Sequence, residues 1–181
     1  MDRWNRTHEA LRRAALELFT ERGYDATGTA QVAERAGVSE MTLFRHFPAK
    51  EALLLADPFD PLIADAVRAR PADETPMRAL AEGVRHTWSE VDLHSVGELR
   101  VRLRMVVAAG SLQGAIARNS KATVTALAGA LMDRGIATVE AQVAATAMIS
   151  GLSVALLDWA QSDQTPLDAA LGRALDILGG V

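Results

Sequence analysis

The sequence predicts an all-α protein, with a small N-terminal three-helix head followed by a larger helical body. Three observations lead there. Apolar residues recur at helical rather than strand spacing, beginning with Leu11, Ala14, Ala15, Leu18 and Phe19. Hydrophobic residues make up 49% of the chain but aromatics only 4%, and alanine and leucine abound, a composition that favours helices over sheets. Between Gln31 and Phe47, two short helical segments flank Gly37, with Ser39 placed to cap the second.

Each element follows from local chemistry. The first helix covers about residues 5–22, and Gly23 suits its left-handed C-terminal position. The second runs from Thr29 to Ala36, and Gly37 adopts positive φ at no steric cost. The third starts after Ser39 and stops before Pro48, which biases Phe47 away from helix. A fourth opens at Lys50. Pro58, Pro61, Pro71 and Pro76 punctuate the next stretch around a short helix, about Leu62–Arg70, and mark a junction. Five further helices are expected over about residues 76–91, 95–109, 111–134, 138–162 and 165–179. The reading divides the chain into a head, residues 1–50, and a body, residues 51–181.

Composition bounds the function. With no cysteine there are no disulfides, thiolate metal sites or thiol nucleophiles. There is no Gly-rich phosphate loop and no G-x-S-x-G elbow, so no catalytic residues and no cofactor are expected. No apolar run of the ~18 residues a membrane span needs is evident, and the opening Met-Asp-Arg-Trp-Asn-Arg lacks an apolar signal core. A cytoplasmic protein without membrane partners is expected. Net charge is −4, but residues 1–50 hold 8 basic and 7 acidic residues, leaving the acidic excess in the body. His86, Glu90 and His94 are spaced for one helical face, a pattern that suits a metal. The Val91–Ser95 stretch reads as a helix end, however, and no metal site is expected.

Residues 10–55 resemble the TetR family of transcriptional regulators. The resemblance is carried by Ala14-Ala15-Leu-Glu-Leu-Phe19, Gly23-Tyr24, Ala26-Thr27, Val32-Ala33, Ala36-Gly37-Val38-Ser39, Thr42-Leu43-Phe44, His46-Phe47, Lys50-Glu51 and Leu54. It implies that the third helix enters the DNA major groove, with Ser39, Glu40, Met41, Thr42, Phe44, Arg45 and His46 on the contact face. Thr27 or Thr29 and Lys50 would clamp the flanking backbone, and Arg3 and Arg6 would add charge. Val32, Ala33, Val38, Leu43 and Phe47 read as packing between crossed helices. Phe44 stands where the family often has tyrosine, Glu40 and Met41 where it is commonly basic and small, and Gly28 where Ser or Thr usually opens the second helix.

The resemblance also implies a homodimer on a palindromic double-stranded operator, released by a small-molecule effector. The small residues of Ala141–Ala160 and the stripe Leu167, Leu171, Ala174, Leu175, Leu178 would pair with a second copy. Effector-wall candidates are Trp88, Leu99, Leu103, Val106, Leu127, Met148, Leu152 and Trp159, with Asp158 and Gln142 as polar anchors. Coupling to the head is expected to run through Leu53–Ala64. The competing reading is a ligand- or partner-binding helical module whose head has lost DNA, suggested by Glu40, Phe44 and the small positive charge.

Overall fold

A computed structural model describes the backbone of residues 3–55, 60–91 and 93–180. The described residues form helices and one 3-10 turn, with no strand among them: α1 Arg3–Arg22, α2 Thr29–Arg35, α3 Glu40–His46, α4 Ala52–Leu55, α5 Asp60–Arg68, α6 Pro76–Ser89, α7 Leu93–Ala108, the turn Gly110–Leu112, α8 Gln113–Asp133, α9 Thr138–Gln161 and α10 Leu167–Gly179. The all-α expectation holds, with most helix ends within about two residues of those read from sequence. α4 begins at Ala52 rather than Lys50, because Lys50 and Glu51 form the turn that starts it.

The chain divides into two compact units. The first comprises Met1–Ala56 together with Arg104–Ile116, the second Asp57–Leu103 with Ala117–Val181. In the first, α1 packs on α2 and α4, and α2 on α3. Leu11, Ala15, Leu18, Phe19, Val32, Leu43, Phe47 and Leu54 are all buried there. Val38, expected among them, is only half-buried. Gly37 has φ +70°, the left-handed conformation its place between α2 and α3 demands. The Ser39 hydroxyl accepts from the Thr42 N–H at 3.2 Å, capping α3.

In the second unit α6 packs on α5, α9 and α10, and α9 on α10. A Cβ on Gly83 would lie 2.6 Å from Val67 Cγ2, so α5 and α6 approach closely only because that position is glycine. The core gathers Val67, Leu80, Val84, Leu127, Leu131, Met148, Trp159 and Leu175. α9, with 24 residues, corrects the expectation that no apolar run is long enough to span a membrane: its length and composition both suffice. Its buried face, Ala141, Ala144, Ala145, Met148, Leu152 and Trp159, instead packs into this core.

α6 ends at Ser89 and α7 starts at Leu93, so the shared face proposed for His86, Glu90 and His94 is interrupted. The His94 side chain lies outside the described residues.

Candidate nucleic-acid interface

α3 divides into two faces. Leu43 is fully buried on the side where α3 packs on α2. On the opposite face Met41 is 68% and Phe44 46% exposed. Arg45 is exposed as well, its Nη2 3.8 Å from the Met41 sulfur. A seven-residue helix presenting a guanidinium, a thioether and an aromatic ring suits a groove edge: arginine pairs with guanine, and apolar groups meet thymine methyls. Ser39 and Thr42 flank this face, their hydroxyls 2.9 Å apart.

Glu40 is the acidic residue of the face. Its carboxylate accepts from the Thr29 hydroxyl at 2.5 Å, tying the start of α3 to the start of α2. Thr29 is half-buried, and its hydroxyl is committed to that bond. Opposite Gly28, which has no side chain to cap α2, Gln31 Oε1 accepts from the Gly28 N–H at 2.9 Å.

Two expected contact residues face inward. Thr27 is fully buried, and its hydroxyl donates to the carbonyls of Gly23, at 2.9 Å, and Leu18, at 3.3 Å. It clamps α1 to the approach of α2, with its side chain under the surface rather than on it. Lys50 Nζ donates to the Tyr24 carbonyl at 2.6 Å and sits 4.1 Å from the centre of the Tyr24 ring. Burial lowers the pKa of this ammonium and Asp25 opposes the shift. Lys50 therefore links the turn before α4 to the turn after α1, where a phosphate clamp had been expected. Burial, reinforced by Glu51 and Asp25, pushes the Tyr24 phenol up to about 12.

His46, at the end of α3, is half-buried under Trp4: the rings stack 3.7 Å apart at 27°. His8 stacks on Phe47 at 4.2 Å and lies 5.7 Å from His46. Both imidazoles enclose Nδ1 with no hydrogen-bond partner. Burial holds the His46 pKa below its ordinary value. Burial does the same to His8, helped by Arg12 and His46 and opposed by Glu9. Neither Trp4 nor His8 was singled out from sequence; the one local signal was their i, i+4 spacing on the first turns of α1. Arg35, also not singled out, bridges Glu21 and Glu17 of α1 at 3.2 Å. These carboxylates keep its guanidinium protonated, but the pair is exposed and contributes little to stability.

The effector-wall candidates fall out differently. Leu99, Leu127, Met148, Leu152 and Trp159 belong to one buried core, with Trp88 and Leu103 partly buried against it. Trp159 is locked, its indole N–H donating to the Thr165 carbonyl at 3.0 Å and Arg100 stacked 4.4 Å from its ring. Val106 is a correction: it is buried within the first unit and does not belong to this core. Asp158 and Gln142 are exposed on α9 rather than lining the core.

A short capped helix presented by two crossed helices defines the helix-turn-helix class of DNA-binding head, here followed by a larger helical unit. Residues 11–56 match the family described as "Bacterial regulatory proteins, tetR family", and residues 74–181 match the "MftR C-terminal domain". The chain belongs to the TetR family of bacterial transcriptional regulators. It is 39% identical over 88 residues to the HTH-type transcriptional regulator TcmR of Streptomyces glaucescens, a match covering 48% of this chain and 39% of TcmR. The HTH-type transcriptional regulator RutR of Escherichia coli is 46% identical over 48 residues, covering 26% of this chain and 23% of RutR. The chain therefore spans well under two thirds of these relatives. The fold is shared at full length with a TetR-family regulator from Streptomyces coelicolor, with TM-score 0.59 and 22% identity over 97% of this chain and 94% of that one. It is also shared with the fatty acid degradation regulator FadR of Bacillus halodurans, with TM-score 0.59 and 20% identity over 96% and 95% of the two chains.

Proposed function

We propose that this protein is a cytoplasmic, ligand-responsive repressor that binds a palindromic operator as a homodimer and leaves it when a small molecule binds the body. The N-terminal 50 residues would read DNA, and the rest would hold the effector and the second copy. The observation that carries DNA reading is the exposed face of α3, where Met41, Phe44 and Arg45 stand clear while Leu43 anchors the helix from beneath. The tie between Glu40 and Thr29 supports the same reading, since one carboxylate oxygen is already engaged within the head.

The dimer reading rests on the second unit. Val139, Val143 and Val154 of α9 and Ile177 of α10 are 76%, 64%, 72% and 82% exposed. A cavity of about 290 Å³ between these helices is lined by Val154, Ile177 and the oppositely charged Asp158 and Arg173. A second copy related by two-fold symmetry would cover the apolar stripe and could satisfy both charges reciprocally. One seven-residue reading helix contacts few base pairs, so two half-sites supply the specificity that one head lacks.

For the effector, the core around Leu99, Leu127, Met148 and Leu152, with Trp88 and Leu103 at its edge, supplies apolar walls. The coupling segment expected at Leu53–Ala64 includes residues 56–59, which lie outside the described residues. A second route runs along α7, whose residues from Arg104 cluster with the head, to Ser111, which donates to Asp25 at 2.7 Å. An effector that binds one arrangement of the body more tightly would shift the head through such a segment.

Selection from a random duplex pool at two salt concentrations tests the proposal. The expected result is a two-fold palindrome whose binding weakens steeply with salt. Absence of any enriched sequence from the folded, dimeric protein, with or without cell extract, would remove the DNA reading.

A further inference from the structure

The first turn of α1 holds the far end of the reading helix. Trp4 is 53% exposed, so its ring is no core residue; what it covers is one face of His46, 3.7 Å away. Beneath them His8 stacks on Phe47, the residue that ends α3. We propose that Trp4 is a positioning residue for DNA binding: by stacking on the face of His46 it holds the imidazole in the orientation that keeps Nδ1 turned into the head and leaves Nε2 to donate a hydrogen bond to a phosphate oxygen.

The inference rests on the reading of the head as a DNA binder. The His46 Nδ1 is enclosed without any partner. A proton held there would have no acceptor, whereas one on Nε2 can be shared with water or with an anion. The neutral ring then carries its donor on the nitrogen that is not enclosed. Stacking contributes to orientation as well as burial, because an aromatic pair is worth more than its area alone. Protonation of the pair is governed by few neighbours. From α1, Arg12 opposes and Glu9 favours a charge on His8, and from α3 the titratable neighbour is His46 itself. His46 on its own element is governed by burial.

The test compares the full-length wild type with Trp4→Ala, Trp4→Phe, His46→Gln and the double variant Trp4→Ala/His46→Gln. Affinity is measured for a duplex recovered by selection, and the His46 ring is titrated by NMR in the free protein. Trp4→Ala is expected to weaken binding by about three- to tenfold, while Trp4→Phe retains most of it. Trp4→Ala should also raise the His46 midpoint toward the ordinary histidine value, because the ring that covers the imidazole is gone. In the His46→Gln background the further loss on removing Trp4 should vanish. Unchanged affinity in Trp4→Ala, an unchanged His46 midpoint, or a full additional loss in the double variant would each overturn the assignment. A wild type that binds no duplex would remove the DNA reading and this assignment together. A wild type that binds, with Trp4→Ala indistinguishable from it, would remove the assignment alone.

Discussion

Both units leave apolar side chains in the open, but in different patterns. In the first, Met41 and Phe44 sit on a helix of seven residues, framed by Ser39, Glu40, Thr42 and Arg45. In the second, Val139, Val143 and Val154 lie within about 60° of one another along one side of α9. The residues α9 buries, from Ala141 to Trp159, occupy the other side. A small apolar group inside a polar frame suits a partner that is itself polar with occasional methyl groups, as a DNA groove is. A long apolar stripe with charged residues of both signs beside it suits a partner with the same stripe. The difference locates the two proposed interfaces on separate units and makes them separable by mutation.

The sharpest way to break the comparison is to charge the α9 and α10 stripe. Val154→Glu combined with Ile177→Glu would place four carboxylates in a two-fold interface and cost several kcal/mol of association, on the order of the penalty for unpaired buried charge. Sedimentation should show monomers at micromolar concentration with the helical content intact. A dimer of unchanged affinity would place the second copy elsewhere.

Within the head, Gly37→Val should cost about 2 to 3 kcal/mol, since a β-branched residue resists the +70° φ that the turn imposes. Thermal unfolding is expected to fall and DNA binding to fall with it; a variant as stable as wild type would refute this account of the turn. Arg45→Ala probes the exposed face alone. It should weaken binding to the selected duplex by about 1 to 3 kcal/mol and leave the melting temperature within a degree or two. Equal affinity would take Arg45 off the contact face.

The smallest effect is a pH dependence confined to the head. His8 and His46 both have folded-state pKa values below their ordinary ones. The unfolded chain therefore binds more protons in mild acid, and the stability these neutral rings confer is full above the ordinary histidine pKa and lost as pH falls through and below it. The melting temperature should drop between pH 7.5 and pH 5 by more in the wild type than in His8→Gln/His46→Gln. Parallel profiles would show that the imidazoles do not govern it.

The head was legible because its signals are local. Gly37 needs no neighbour to demand a left-handed turn, Ser39 caps the helix it begins, and Pro48 ends that helix within a few residues. The division of α3 into a buried Leu43 and an exposed Met41, Phe44 and Arg45 follows from helical periodicity. Less legible were two threonines that lie close together in sequence and have different surroundings in space. Thr29 opens α2 and Thr27 lies two residues before it, yet one hydroxyl closes onto the carbonyls of Leu18 and Gly23 and the other onto Glu40. Lys50 looked like an exposed cation, but Tyr24, distant in sequence, takes its ammonium.

Local periodicity, capping and turn chemistry were sufficient to determine an all-helical chain, a three-helix head and the position of its turn, because each depends on residues a few places apart. Tertiary structure alone decided that Trp4 covers His46, that Val106 lies apart from the core of the second unit, and that residues 104–116 cluster with the N-terminal helices. Those outcomes depend on which surfaces meet after the helices form. Burial and stacking are properties of a pair of surfaces, so neither partner's own sequence neighbourhood encodes them.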